Sequence, residues 1–587
     1  MFVKIRNEIE KINYDSWGEI LPYFFLVIAV WFSHFLLIDF FGFYEDDWHF
    51  LGTAVTNSTS ENLVRIQNAY TEFFQGRPLY LTFVTLIPAI VSKIGGIKIL
   101  YLVGFLILST NVCLFYKLTS KIFDRPIVPL LSSLFLCLYP SDTTFIFLLH
   151  LFELQISLLF FLLAFIFFLD SRKIFSYIFI IGSLLTYETL FPVFLAAPLF
   201  LKKNAKREFI YHFFCILIIS IVYLIIRRSL GESRVIGLDP FATFGLIIQQ
   251  LFVGPLISAK MFFARWLEVL QPFKQSNIIL LSICFPIFFV LILFFVRRTF
   301  VGATTALRQE KIKEIKKIFL IAMLMTILGY CTAFMLDINL VDGRASRVHF
   351  AASLGMSIMF ACVWAGLLYK NFDSLPIRFI MTVLVSLQIT FLFVFSFNVQ
   401  QYYALSWKYQ QEFWQDVLRL SPDINNNTVV LVQSPSLPWG RQINPFDWSV
   451  PSVLESIYYF PQSWDFPPRV YILNSNHQNI EGWKNMIDPS GKFVISNQNN
   501  GVKYHYAWEA DRVVDAENII LLVEDNNRLV RQPSIKLANG IMFELKKNNM
   551  SNSLPPLSVS PIFPDLIRSS GIVETESSSP IYLKPQK

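Results

Sequence analysis

Charge is what this sequence has least of. Lys, Arg, Asp and Glu make up 16% of its 587 residues, where a soluble domain carries about 25%. Hydrophobic residues reach 54%, with 61 Phe among them, and the mean hydropathy is +0.51. That balance excludes a soluble enzyme, a secreted disulfide scaffold and a disordered chain, and leaves an integral membrane protein. Cysteine is scarce too. Cys113, Cys137, Cys215, Cys284, Cys331 and Cys362 all sit inside apolar stretches, so neither a disulfide nor a zinc framework is available to the loops or the C-terminal region. No internal repeat is evident, which disfavours a two-halved transporter.

What charge there is falls unevenly. Residues 1–398 hold 33 basic against 24 acidic residues, and residues 399–587 hold 16 against 18. A basic excess between hydrophobic segments speaks of orientation and lipid headgroups, not nucleic acid. The N-terminus, MFVKIRNEIEKINYDSWGEI, is polar, and the apolar run after it is too long and too poorly cleavable for a signal peptide. Spans of about 17–25 apolar residues are expected near 20–41, 77–93, 97–116, 127–140, 151–169, 174–201, 209–226, 277–296, 318–336, 349–369 and 377–398. The basic loops KKNAKRE (202–208) and RRTFVGATTALRQEKIKEIKK (297–317) should be cytoplasmic, as should the N-terminus. Eleven crossings then put residues 42–76, 337–348 and everything after 398 outside, but strand Lys117, Lys121 and Arg125 on the wrong side. An alternative moves those three to the cytoplasm: 77–93 does not fully cross, and 174–201 is a hairpin bent at Tyr187–Glu188. Its arms are short for spans, so a single long helix is favoured. The stretch 241–260, interrupted by Gln249, Gln250, Gly254 and Pro255, reads as re-entrant or interfacial.

From residue 399 the composition changes. Leu405, Tyr409, Phe413 and Val417 recur at i+4 within 402–420, which predicts a helix leaving the last span. Trp407 and Trp414 fall on another strip and suggest the membrane interface. The runs TVVLV (428–432), RVYIL (469–473), KFVIS (492–496), NIILLV (518–523) and IMFEL (541–545) predict strands. The expected organisation is a transmembrane region over 1–398, a soluble α+β or α/β domain over 399–548, and a loose tail over 549–587.

The first outer loop opens with FYEDDWHFL. Glu45, Asp46 and Asp47 next to hydrocarbon repel one another and resist desolvation, so they need a reason to be there. Trp48 and His49 follow. The loop ends with QGRPLYLTF, where Arg77 and a helix N-terminus make an anion-friendly spot. In DINLVDGRASRVHF (337–350), Arg344 and Arg347 at i, i+3 suit a phosphate fork, with His349 beside them. Pairing with Asp337 or Asp342 is the plainer alternative. Arg265 and Lys274 are weaker cation candidates. Glu188 in LTYETLFP, and His150 with Glu153, are ionisable groups inside apolar segments and should face the bundle interior. His150 and Glu153 are expected to satisfy each other, and Glu188 to line a substrate cavity. Glu45, Asp46 and Asp47 are also the candidate site for a divalent cation, Mg or Mn.

An acidic pair just after the first span, followed by a Gly-Arg-Pro-Leu start to the second, resembles the multi-spanning GT-C glycosyltransferases. Protein mannosyltransferases, aminoarabinose transferases and bacterial surface-polysaccharide glucosyltransferases are among them. The resemblance implies a mostly α, polytopic bundle of about 11 spans with an extracytoplasmic C-terminal domain, in a bacterial plasma membrane. It also implies a polyprenyl-phosphate-linked sugar donor and a glycan, lipid or protein acceptor. Asp46 aligns with the first acid of the family's pair and is expected as general base. Asp47 is expected as its orienting or metal-binding partner, and Arg77, Arg344, Arg347, Glu188 and His49 as substrate-binding residues. A monophosphate donor does not demand a metal. A transporter or flippase, or a non-catalytic envelope scaffold, is the competing expectation.

Overall fold

The computed structural model describes residues 20–71, 76–201, 205–230, 240–270, 275–300, 305–332, 337–371, 374–434, 437, 442–446, 449–473, 486–488, 490–495, 511–526, 528–536, 542–547 and 557–567. The chain is mostly helical. Among the described residues, eight helices are long and apolar enough to cross a membrane: Ile20–Phe40, Pro78–Ile122, Leu148–Leu169, Ala205–Ser229, Phe244–Leu270, Asn277–Thr299, Ser353–Lys370 and Leu375–Leu420. Exposed Phe, Ile, Leu and Val on these helices, such as Phe24, Leu106, Ile218, Phe252 and Val290, make the apolar outer surface that lipid requires.

Several helices differ from the pattern read in the sequence. Residues 174–201 do not form one long helix. Lys173–Thr186 is α-helical, Tyr187 is extended (φ −157°, ψ 123°), and Glu188–Phe200 continues as a 3₁₀ helix. Lys173 at the start of the first arm pairs with Glu208 beyond the second (3.3 Å), and Tyr177 Oη lies 3.0 Å from His212 Nδ1. The two arms therefore form a hairpin bent at Tyr187–Glu188. The stretch 241–260, by contrast, is not broken: it lies within one helix, Pro240–Leu270, that carries Pro255 inside it. The segment at 127–140 holds only an 11-residue helix, Ile127–Cys137. Of the segment at 318–336, residues 318–328 belong to the helix Thr305–Leu328, which begins inside the basic loop.

Pro78–Ile122 bends at Gly95–Gly96. Gly96 sits at φ +62°, and a Cβ there would come within 2.7 Å of Asp565 Oδ2. Glycine alone fits both demands. The Asp565 carboxylate accepts a hydrogen bond from Ile97 N–H (3.0 Å), capping the second half of the bent helix. Residues 557–567 are thus docked, not loose. Ser558–Val559 pairs with Tyr458–Tyr459, and Ile562 and Leu566 are fully buried.

The last long helix runs unbroken from the bundle into the C-terminal domain. Trp407 and Trp414 are buried on it, not at a lipid surface. Trp407 stacks on Trp48, and its ring occupies the space where a Cβ on Gly42 would lie. Beyond it, all five predicted strand runs form strands. A four-stranded sheet has the order Arg469–Ile472, Val429–Gln433, Ile519–Asp525, Arg528–Gln532, the first three parallel and the last antiparallel. Val430 and Val432 pack into the hydrophobic cluster shared with the bundle, while Val429 and Leu431 pack into a second cluster with Tyr471 and Phe493. A sheet covered on both faces explains why its strands read as continuous apolar runs.

Candidate functional site

Polar contacts sort the bundle into two ends. At one end lie Lys121–Asp170 (2.7 Å), Lys173–Glu208 (3.3 Å) and Lys311–Asp124 (2.6 Å), which join the basic segments to one another. At the other lie the first loop, the start of Leu148–Leu169, the turn at Tyr187–Glu188, residues 337–349 and the C-terminal domain. Both halves of the predicted site are at this second end.

The first loop is held tightly. Tyr44 Oη donates to Tyr403 O (2.8 Å), Trp48 Nε1 donates to Gln410 Oε1 (2.8 Å), and Tyr101 Oη donates to Gly42 O (2.7 Å). Glu45 adopts φ +42°, a conformation that costs free energy for a residue with a Cβ. The turn divides the three neighbouring carboxylates between two sets of partners. Glu45 and Asp46 both pair with Arg344, the former at 3.2 Å from its Nε. Glu45 also accepts a hydrogen bond from Asn444 N–H of the C-terminal domain (2.9 Å).

Asp47 points the other way. It is fully buried, and its two oxygens accept from Leu149 N–H (2.8 Å) and Tyr44 N–H (3.1 Å). Leu149 belongs to the first turn of Leu148–Leu169, whose N–H groups have no partner within the helix. Asp47 is therefore a cap supplied from another segment. Burial pushes its carboxyl well above the usual range, and the nearby Asp46 and Glu45 add to this, against the two backbone N–H bonds.

Arg344 and Arg347 stand on a 3₁₀ turn, Arg344–His349, where side chains at i and i+3 eclipse. They share a face, as the spacing predicts, but not the same partners. Arg344 meets Glu45 and Asp46, Asp342 accepts from Arg265 Nη2 and Gln442 Nε2 (each 2.9 Å), and Asp337 accepts from Asn339. Arg347 Nη1 lies 3.1 Å from His150 Nε2 and 4.0 Å from Glu153 Oε1. His150 and Glu153 approach each other at 3.5 Å without fully satisfying one another. His150 Nδ1, Glu153 Oε1 and Arg347 Nε are buried and make no hydrogen bond.

Arg77 forms a two-pronged pair with Glu188, Nε to Oε2 at 2.7 Å and Nη2 to Oε1 at 2.6 Å. Arg227, which sequence reasoning passed over, joins the same carboxylate at 3.4 Å. The planar fork of arginine makes this the strong form of such a contact. Arg77 also lies 4.1 Å over the Tyr187 ring. Electrostatics couple the groups: Glu153 feels Arg347, Arg77, Asp46 and Glu188, and Arg347 feels Glu153, Asp46 and Arg344.

The remaining candidates lie apart. His49 is half-buried, with Nδ1 3.4 Å from Ser452 Oγ, and burial together with Arg65 and Arg469 holds its imidazole down to about 4. His349 is buried against Tyr330 and Ser258. Arg265 is fully buried and donates to Pro140 O (3.0 Å) and Val341 O (2.7 Å) besides Glu268 and Asp342, which makes it a strut between segments. Lys274 lies outside the described residues.

A divalent cation does not fit the first loop as it stands. Asp47 has both oxygens on backbone N–H groups, and Glu45 and Asp46 share a guanidinium. Among the described residues, no three His, Cys, Asp or Glu side chains form a metal-binding group. Compared with known proteins, the chain matches no family model and no curated sequence.

Proposed function

We propose that this chain is an integral-membrane glycosyltransferase of the GT-C type. It moves a sugar from a polyprenyl-phosphate donor to an acceptor hydroxyl outside the cytoplasm. The observation that carries the reading is the gathering of Glu45, Asp46, Arg344, Arg347, Arg77, Arg227 and Glu188 at one end of an apolar bundle. Burying so many charges next to hydrocarbon is expensive, and membrane proteins retain such groups chiefly for function.

Asp46 takes the proton of the acceptor hydroxyl as its oxygen attacks the anomeric carbon. The bond from that carbon to the phosphate oxygen breaks, and polyprenyl phosphate leaves with the electron pair. A phosphate leaving group needs no general acid, so one carboxylate base suffices. Guanidinium groups at the same end stabilise the charge that grows on the phosphate. Arg344 orients Asp46, and Asp47 fixes the loop by capping the neighbouring helix. The C-terminal domain closes over this end through Asn444 and Gln442.

The ion pairs also support an orientation. Both ends of residues 78–96 belong to the site end, Arg77 against Glu188 and Gly96 against Asp565, so this half of the bent helix does not cross. The hairpin at Tyr187–Glu188 supplies two short crossings in place of one. With Phe244–Leu270 not crossing, since Arg227 before it and Arg265 within it both meet site-end residues, eleven crossings remain, and Lys117, Lys121 and Arg125 are now on the cytoplasmic side beside 202–208 and 311–317. The site end is extracytoplasmic.

Purified protein supplied with defined radiolabelled polyprenyl-phosphate sugars tests the activity, which should be present with at least one of them. Cysteines introduced at Ser58 and Ser490 should label from outside intact cells, and one at Lys121 only after permeabilisation. Opposite labelling of Ser58 and Ser490 overturns the topology and the mechanism with it.

A further inference from the structure

The charged end divides by sign. Two carboxylates, Glu45 and Asp46, share one guanidinium, Arg344. Two guanidiniums, Arg77 and Arg227, share one carboxylate, Glu188. Carboxylates outnumber guanidiniums among the named members of the first group, and the reverse holds in the second. Glu153 feels both, Asp46 of the first and Arg77 and Glu188 of the second, while its neighbours Arg347 and His150 feel the first, through Asp46 and Arg344.

This third group is short of hydrogen bonds. His150 and Glu153 are nine-tenths or more buried, at 1% and 3% exposed. A guanidinium N–H only donates, so the 3.1 Å contact from Arg347 Nη1 makes His150 Nε2 the acceptor. His150 Nδ1 must then carry the hydrogen. The unmatched atoms are two donors, His150 Nδ1–H and Arg347 Nε–H, and one acceptor, Glu153 Oε1. Leaving such groups buried and unpaired costs on the order of 1–3 kcal/mol each, so a ligand that completes them is expected.

The donor–acceptor mixture narrows the ligand. A phosphate only accepts, and would meet the Glu153 carboxylate as a second anion. A hydrocarbon chain offers neither function. Vicinal hydroxyls do both: each donates one hydrogen and accepts at its lone pairs. We propose that Arg347, His150 and Glu153 form the subsite for the vicinal hydroxyls of a neutral sugar, between the acidic group that holds Asp46 and the basic group around Arg77. Glu153 accepts from one hydroxyl, while His150 and Arg347 donate to the same or the adjacent one. Because an epimer turns one hydroxyl away and leaves a charged group unpaired, this trio sets which sugar is taken.

The assignment rests on the glycosyltransferase reading, and the test separates the two. Full-length protein in detergent is titrated with decaprenyl phosphate, bare or bearing glucose, galactose, mannose or arabinose. Wild type should bind one sugar-bearing lipid more tightly than the bare one. Glu153→Gln and His150→Asn should lose roughly 10- to 100-fold of that preference, while affinity for bare decaprenyl phosphate is unchanged and reports an intact fold. A wild-type sugar preference that survives in both variants overturns the subsite. Equal loss for bare and sugar-bearing lipid also overturns it, and moves Glu153 and His150 to the phosphate or to the fold. A wild type that binds none of these lipids removes the functional reading and the subsite together.

Discussion

The two ends of the bundle use ion pairs of different kinds. At the basic end the cations are lysines: Lys121–Asp170 and Lys173–Glu208 are each about a third exposed, at 32% and 38%, and Lys311 meets both Asp124 and Glu314. At the other end arginines build shared groups: Arg77 and Arg227 meet on the part-buried Glu188, the buried Arg265 spans Glu268 and Asp342, and the more exposed Arg344 spans Glu45 and Asp46. Exposed pairs contribute about 0–1 kcal/mol. Buried ones cost desolvation that often exceeds their attraction. Charge at the first end therefore costs little to keep, and the buried charge at the second is kept despite its cost.

Breaking pairs at the two ends should expose that contrast. Glu188→Gln leaves two buried guanidiniums without their carboxylate, and should lower stability by about 3–5 kcal/mol, read as a fall in melting temperature in detergent. Asp47→Asn keeps one acceptor but turns an amide N–H₂ toward the second backbone donor. A loss of about 1–3 kcal/mol is expected, with the protein that remains folded still active. If Asp47→Asn abolishes activity at full stability, Asp47 does more than cap the helix.

The pH response sharpens the comparison further. His49 is held down to about 4 in the folded protein, against an ordinary value of 6.5. The unfolded chain takes up this proton first as pH falls, so the stability due to His49 is complete above about 6.5 and is lost as pH falls toward 4. Melting temperature should decline over that window, and His49→Gln should flatten the decline. The smallest effect belongs to the basic end. Lys173→Gln should change stability by less than about 1 kcal/mol and leave the activity of correctly inserted protein unaltered.

Much of this architecture was legible in the sequence because it rests on local pattern. Strand runs such as TVVLV and NIILLV sit where both faces of a sheet are covered, so composition alone marked them. The acids after the first span stood out against hydrocarbon. What depended on distant partners was not legible. Tyr187 breaks its helix although the apolar run continues through it, and the arms meet through Lys173–Glu208 and Tyr177–His212. Asp47 looked like a twin of Asp46, and only its contact with Leu149, 102 positions away, separates their roles. Arg227 lies at the end of an apolar helix and carried no signal of its own, although a basic residue closing a span facing Glu188 would have been worth pairing. The docked 557–567 segment was hidden by its Pro- and Ser-rich flanks.

The account turns on Asp46. A general base is worth on the order of 10²–10⁴ in rate, and Asn keeps the size of the side chain without its ability to take a proton. The most direct measurement is sugar transfer from the preferred polyprenyl-phosphate donor by purified Asp46→Asn protein, matched to wild type in expression and melting. Transfer should fall by that factor while donor binding persists. Near-normal transfer by the matched variant would contradict the assignment of Asp46 as the base, and with it the reading of this end of the bundle as a catalytic site.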